Sequence, residues 1–450
     1  YVLYLSNHSS KAKGYENMAT AVISSGIGRL HLANAVDALV RNGCSVDFIG
    51  GWAPKNVDSF LVMLASMCTG RDLRAGLRKR IIGIDGCQEY SCAAAEFFCQ
   101  IIMRIGRLLY ADQRRFAVWG WKLFGWQSKW YLKTQTRILH VRSGAGQGGA
   151  IARARRLGMK VVVDHSIAHP AFMDRQLRSE CERNGVKFEF GCDSPFWQLV
   201  LKDCWEADIV QVNSFFVRDT FLEQGFPAEK IRVIYLGERE DFFGLRSVSF
   251  TPNLRKAERV RLLFTGGFGF RKGAEYILSA LKTLKERGVN YEMDVVGEYS
   301  GARSIISRFA KDLDIVFAEG DYQGPVPNHR ITFHGPKPQD ELKHFLANGD
   351  IYVFPSLAEG CAQSGMEAMA AGMCVIGTHE CGFPITDGEN GCIVPSKDAN
   401  AIADKIEWLS KNSKEIDRMG ENAARLIREN YTWKRYAENV SAMYTELLER

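Results

Sequence analysis

Residues 347–395 read ANGDIYVFPSLAEGCAQSGMEAMAAGMCVIGTHECGFPITDGENGCIVP. The short apolar run Asp350–Phe354 has the character of a buried strand, closed by Pro355 and Ser356. A loop leads into a helix over about Gly365–Ala371. Gly372 stops that helix, and Met373–Gly377 is the next strand. Strand, helix, strand is the rhythm of a parallel sheet, whose ligands sit beyond the C-terminal ends of its strands. Glu359 and the start of the helix both fall there.

Two carboxylates, Glu359 and Glu367, have seven residues between them. A carboxylate accepts two hydrogen bonds from a diol, and the free N–H groups of a helix start suit a diphosphate. A plainer local reading stands beside this one. Ser364-Gly-Met-Glu367 has the form of a capping box, and Glu359 taken alone is a solvent-facing loop charge.

The segment as a whole resembles the donor-binding segment of the large retaining glycosyltransferase family that includes bacterial sugar transferases, sucrose synthases and starch or glycogen synthases. The resemblance rests on Pro355-Ser356, Glu359-Gly360, Glu367-Ala-Met-Ala370 before Gly372, and the Asn390-Gly391 turn. It implies membership of glycosyltransferase family 4 and the GT-B fold: two Rossmann-like parallel-sheet domains facing a central cleft.

At 450 residues the chain is long enough for two or three domains with full cores. Its net charge of +6 is too slight to single out nucleic acid, acidic lipid or nucleotide phosphate as a partner. Twelve cysteines, with no Cys-x-x-Cys pair and no histidine at zinc spacing, point to reduced cytosolic thiols rather than a disulfide scaffold. Cys87, Cys92 and Cys99 are expected on a buried helical face. No leader pattern is expected at the start. The longest apolar stretch, Cys92–Tyr110, holds Glu96, Gln100, Arg104 and Arg107, which a membrane-spanning helix rarely carries.

In the first half, the expected order is a strand at Tyr1–Leu5, a polar loop containing Ser24, Ser25, Gly26 and Gly28, a helix over Arg29–Asn42 and a strand over Ser45–Ile49. Gly26-Ile-Gly28 lacks the third glycine of a dinucleotide site, so close backbone approach is the local reading. Helical pattern returns over about Glu89–Tyr110. The stretch Phe116–Tyr131 interleaves Trp119, Trp121, Trp126 and Trp130 with Lys122 and Lys129. It reads as an amphipathic helix packed on the sheet, and otherwise as an acceptor platform or a membrane contact; stacking on single-stranded nucleic acid lacks a recognised module. Further strands are expected at Ile138–Val141 and Val161–Val163, the latter ending at Asp164-His165, where polar side chains point into a ligand crevice. A helix over Phe215–Gln224 and a strand ending at Ile234 close the domain.

Phe243–Glu258 reads as a linker. Arg261–Thr265 opens the second domain, followed by GGFGFRKG and a helix over Ala274–Arg287. This is not a P-loop, yet Arg271 and Lys272 stand where cations would neutralise a diphosphate. Next come a strand at Tyr291–Val296, a helix at Ser300–Leu313, a long loop at 318–330 and a strand at Ile331–Phe333 before His334-Gly335. Asp312-Leu-Asp314 reads as surface charge. Helices fill the chain after Pro395.

The resemblance implies domains at 1–243 and 259–430, a linker at 244–258, and a last helix, 431–450, crossing back to the first domain. It implies transfer of a sugar from a nucleoside-diphosphate-sugar, of UDP or GDP type, without a cofactor or metal. Lys272 and Arg271 would face the diphosphate, with Gly267 standing where the family has arginine. Gly26, Gly28, Gly335, Ser364 and Gly365 would border the donor, Glu367 would hold the ribose diol, and Glu359 and His165 the sugar. Leu236 and Arg239 depart from the family's hinge pattern. The acceptor would be a glycan or a lipid-linked sugar. A nucleotide-sugar hydrolase or epimerase, or a non-catalytic binder, are the alternatives. The expected place is the cytoplasm, with attachment to the inner face of the membrane through Trp119–Trp130 left open, and no nucleic-acid partner.

Overall fold

Short strands, most of them apolar, form two separate seven-stranded sheets in the computed structural model, all of whose paired strands are parallel. The structure describes residues 20–450 apart from 28–30, 55, 70–71, 79, 81–82, 109–112, 189–190, 247–258 and 319–327. The first sheet contains β1 (Ala21–Ser24), β2 (Val46–Gly50), β3 (Glu89–Ser91), β4 (Ile138–Arg142), β5 (Lys160–His165), β6 (Ile209–Val212) and β7 (Ile231–Val233), in the order β3-β2-β1-β4-β5-β6-β7. The second contains β8 (Val260–Thr265), β9 (Tyr291–Val296), β10 (Asp314–Phe317), β11 (Arg330–Gly335), β12 (Ile351–Phe354), β13 (Cys374–Gly377) and β14 (Cys392–Ile393), in the order β10-β11-β9-β8-β12-β13-β14. This is the two-domain GT-B architecture of paired Rossmann-like units.

Helices accompany both sheets. In the first half they are α1 (His31–Arg41), α2 (Phe60–Thr69), α3 (Arg74–Arg78), α4 (Ala93–Leu108), α5 (Gln113–Ser128), α6 (Ala150–Arg156), α7 (Pro170–Arg183), α8 (Pro195–Glu206) and α9 (Phe215–Leu222). In the second they are α10 (Ala274–Glu286), α11 (Arg303–Phe309), α12 (Gln339–Asn348), α13 (Gln363–Ala371), α14 (Ala399–Lys411), α15 (Ser413–Asn430) and α16 (Trp433–Glu449). Their ends follow local chemistry. Ser214 caps α9 by accepting the Val217 N–H at 3.2 Å. Gly372, at φ +90°, closes α13 in the left-handed conformation.

The last helix returns to the first sheet. Tyr436, Val440, Met443, Tyr444 and Leu447 of α16 are buried in one cluster with α1, β1 and β2. Polar contacts complete the seam: Tyr444 Oη meets His140 Nδ1 at 2.7 Å, and Gln211 Nε2 donates to Tyr436 Oη at 3.1 Å.

Several local expectations fail. Ala21–Ser24, read as loop, is a strand buried along its whole length; four residues without alternation carry no periodic signal. The strand expected at Tyr1–Leu5 lies outside the described residues. The helix expected from Glu89 begins at Ala93, because Glu89–Ser91 pairs with Phe48–Gly50 as an edge strand. The helix expected to reach Leu313 stops at Phe309, and Asp314–Phe317 is the far edge strand of the second sheet. Asp312 and Asp314 make surface ion pairs with Lys282 and Lys285 at 2.7 and 3.2 Å. Of the three clustered cysteines only Cys99 lies within a helix.

Candidate functional site

The second-domain half of the site begins where β8 ends. Gly266 adopts φ +108°, and a side chain on it would put Cβ 3.3 Å from Lys272 Nζ and 4.0 Å from Ser364 Oγ. Its lack of a side chain leaves a cradle between an ammonium group and the first turn of α13. Gly297 makes the same demand from β9, since a Cβ there would lie 2.1 Å from the Gly266 oxygen.

Lys272 Nζ sits 4.9 Å from the centre of the Phe354 ring and 3.7 Å from Glu359 Oε1. Burial lowers its pKa, and the Glu359 charge opposes that shift. Arg271 stitches the two loops together. Its Nη1 donates to the Ala358 carbonyl at 2.7 Å and lies 2.7 Å from Glu359 Oε1. Its own carbonyl accepts from Leu357 N–H at 2.8 Å and Ser356 Oγ at 3.0 Å. Glu359 Oε1 is thus in ionic contact with both cations, buried, and without an aligned hydrogen bond among the described residues. Arg271 is therefore committed to Ala358 and Glu359, whereas Lys272 borders the cradle directly.

The capping box does not form. The N-cap of α13 is Ala362, which makes no side-chain cap, and Ser364 Oγ instead accepts from Tyr352 Oη at 2.9 Å. Glu367 is left to line a cavity of about 540 Å³ shared with His31, Asn34, Ser166, Asn213 and Glu238. Burial pushes the Glu367 carboxyl up to about 7, partly offset by Arg239. Glu238, which accepts from Gln363 Nε2 at 2.6 Å, is pushed up to about 8 by the same cause.

From the first domain, His165 lies at the end of β5 and is buried. Its Nδ1 meets Ser143 Oγ at 3.0 Å, and Nε2 has no aligned partner among the described residues. Burial pulls its pKa down to about 3, so the ring is neutral. Beside it, Asp164 is hydrogen-bonded to His31 Nε2 at 2.7 Å. His31 carries that pair to the cavity wall. The two domains touch at this point. Ala168 N–H donates to the Glu359 carbonyl at 3.1 Å, Ser214 Oγ donates to the Gly360 carbonyl at 2.5 Å, and a Cβ on Gly360 would come within 2.1 Å of the Ser166 oxygen.

The remaining expected residues divide. Gly335, at φ +68°, accepts the Gly297 N–H at 2.9 Å, next to His334, whose Nε2 meets Asp294 Oδ1 at 2.7 Å. A Cβ on Gly267 would meet nothing within 4 Å. Gly365 is buried, and a Cβ there would lie 2.0 Å from the Phe383 ring, so it is a packing glycine. Gly26 lies under Trp121, 2.5 Å from where its Cβ would sit, and Gly28 is outside the described residues. His31, Asn213 and Glu238 were not anticipated. They come from three distant segments, and only the strand-end position of Asp164 hinted at a polar partner nearby. Among the described residues, no group of three or more metal-ligating side chains is present.

Residues 247–426 match the sequence profile of the family described as Glycosyl transferases group 1. The chain is 30% identical over 205 residues to the amylovoran biosynthesis glycosyltransferase AmsK of Erwinia amylovora, covering 43% of this chain and 46% of that protein. It is 30% identical over 251 residues to D-inositol 3-phosphate glycosyltransferase of Corynebacterium diphtheriae, covering 53% and 56%. The chain thus spans about half the length of the curated relatives it matches. Among solved structures, sucrose-phosphate synthase from Thermosynechococcus elongatus superposes with a TM-score of 0.68 at 17% identity, over 96% of this chain and 99% of that one. Anabaena Alr3699/HepE in complex with UDP-glucose does so with a TM-score of 0.59 at 13% identity, over 95% and 99%. At those identities the superpositions establish the fold alone. The chain is a GT-B fold protein related to the glycosyl transferases group 1 family, and the matched segment carries Lys272, Glu359 and Glu367.

Proposed function

We propose that this protein transfers a sugar from a nucleoside-diphosphate-sugar, of UDP or GDP type, to an acceptor hydroxyl with retention of anomeric configuration. The observation that carries the reading is the Gly266 cradle, bordered by Lys272 Nζ and the start of α13, with Glu359 3.7 Å from that ammonium group and Glu367 on the same helix, lining the neighbouring cavity. Lys272 would offset the charge that grows on the leaving diphosphate, together with the N–H groups of the first turn of α13. Arg271 acts at one remove, by fixing Glu359 and the 356–359 loop. Glu367 would accept from the ribose diol in its ionised form. Glu359 would take donor-sugar hydroxyls, and the Nε2 of His165, buried and without a partner among the described residues, would meet the same sugar from the opposite domain. The AmsK and D-inositol 3-phosphate glycosyltransferase matches support the same class of reaction. The acceptor would be a carbohydrate or lipid-linked carbohydrate.

In this reading residues 1–243 form the acceptor domain, 244–258 the linker and 259–430 the donor domain, with 431–450 belonging to the first. No metal or cofactor takes part. No described helix is long and apolar enough to cross a membrane. The reading places the transfer in the cytoplasm, in keeping with the many thiols of the sequence. The test is a panel of UDP-, GDP- and ADP-sugars, with nucleotide release and thermal shift recorded for each. Release from one donor, lost in Lys272→Met without unfolding, is the expected result. Binding without release in the presence of acceptors would replace the reading with that of a nucleotide-sugar binder. Free sugar as the sole product would make the protein a hydrolase.

A further inference from the structure

Helices of the first domain leave large apolar side chains in solvent on one side. Of sixteen large apolar residues exposed among those described, ten lie between Phe60 and Trp130. Along α5 and the turn that follows it, Trp119, Lys122, Trp126 and Trp130 recur on one helical face, with the tryptophans 58%, 48% and 70% exposed. On α4, Phe97, Ile101 and Ile105 repeat every four residues and are exposed as well. The two helices are packed antiparallel, Gly106 lying against Phe116 and Gly120 against Cys99. The exposed residues of both helices lie outside the interface packed between them. Phe97 meets Trp52 at 4.5 Å with the rings tilted, Trp52 packs on Val57, Val62 and Leu77, and Phe60, Met63 and Met67 of α2 are exposed.

The other face of α5 already has its core. Val118 and Phe124 are buried, and Gly125 is pressed so closely on the Gln147 carbonyl that a Cβ would lie 1.7 Å from it. The outward tryptophans are surplus to folding. Charge selects their partner. Residues 93–133 hold seven Lys or Arg against Glu96 and Asp112, in a chain whose whole net charge is only +6; of the seven, Lys133 is paired with Asp47 at 3.4 Å. Glu96 is buried and paired with Arg80 at 2.5 Å, so its charge is not presented. Lys129 Nζ hangs 5.3 and 5.0 Å from the Trp126 and Trp130 rings. Indole rings at headgroup level with lysines reaching anionic headgroups are the pattern of a bilayer interface.

We infer that the α4–α5 face docks on the surface of an anionic lipid bilayer. Its position gives this a use. Trp121, on the inner side of α5, fills the space against Gly26 and Gly144 beyond the ends of β1 and β4, so the helix that carries the face packs over the strand ends on which the cleft opens. A docked molecule would present that cleft to an acceptor held in the membrane; this last step rests on the proposed transfer, whereas the docking does not.

The experiment is sedimentation of the full chain with vesicles of phosphatidylcholine alone and with added phosphatidylglycerol. Binding only to the anionic vesicles, weakened by salt, is expected. Trp119→Ser combined with Trp126→Ser should abolish it, and Lys122→Gln should weaken it on the order of fivefold. Unchanged thermal midpoints in these exposed-site variants establish that they fold, and the donor-induced thermal shift, read on the same samples, reports the donor site separately. Failure to bind anionic vesicles, or binding untouched by the tryptophan changes, overturns the inference. So does a dimer that the tryptophan changes convert to monomer, which would make the face a contact between copies.

Discussion

A single methyl group placed at Gly360 tests whether the cleft works in its closed form. In Gly360→Ala the new Cβ would lie 2.1 Å from the Ser166 oxygen and 2.7 Å from Asn213 Oδ1, both on the opposite domain. Ordinary contact needs well over 3 Å, and a backbone carbonyl cannot swing aside, so the loops must part by about an ångström. The two interdomain hydrogen bonds beside this point, Ser214 to Gly360 at 2.5 Å and Ala168 to Glu359 at 3.1 Å, would break with that movement. At about 1 kcal/mol each, their loss disfavours the closed arrangement by about 2 kcal/mol, or about 30-fold in its population. Neither core is touched. The expected result is a larger radius of gyration in small-angle scattering, unchanged donor-induced thermal shift, and turnover lowered by up to about 30-fold. Scattering and turnover both equal to wild type would refute the argument that this contact is part of the working state.

Three further outcomes follow from the site and the seam. Lys272→Met should lower nucleotide release by about 10²–10³-fold, the usual cost of one charge-stabilising donor, and single-turnover kinetics would show whether the loss lies in the chemical step. Because burial raises the Glu367 carboxyl from 4.5 to about 7, the folded chain holds a proton there that the unfolded chain releases. Its stabilisation is complete below about pH 4.5 and is lost as pH rises through about 7. Thermal midpoints should fall less steeply over that window in Glu367→Gln, while donor affinity in the parent should strengthen above pH 7; parallel midpoint curves for the two would count against it. Tyr444→Phe removes the partner of the buried His140 and should cost about 1–3 kcal/mol, read as a lower unfolding midpoint; an unchanged midpoint would mean the ring has repacked.

The second domain was largely legible from its chain, because its central strands are apolar runs and its helices carry clear stops. Tyr291–Val296 and the 350–377 unit were located to within a residue or two. The edges were not. Glu89–Ser91 and Asp314–Phe317 are strands only because a neighbour offers them a ladder, and edge strands with polar residues have no pattern of their own. In the site, spacing brought Glu359, Glu367 and Lys272 to notice. It offered no warning that Arg271 would be spent on Ala358, or that Gly365 faces Phe383. The Ser-x-x-Glu pattern was misleading for a definite reason: the chain enters α13 two residues earlier than that box requires, so Ser364 is already inside the helix and bonds Tyr352. His31, Asn213 and Glu238 converge from three segments, and no local rule links them.

The return of α16 to the first sheet has a consequence for biosynthesis. Cys44 and Ser441, in contact across this seam, stand 397 positions apart. At typical ribosomal speeds of about 5–20 residues per second, the sheet that leaves the ribosome first waits about 20–80 s for the helix that covers α1. During that interval the second domain can complete itself, while the first holds an uncovered apolar flank. The order of synthesis and the order of completion are therefore reversed, and the nascent first half is the part of this chain that a chaperone would be called on to shield.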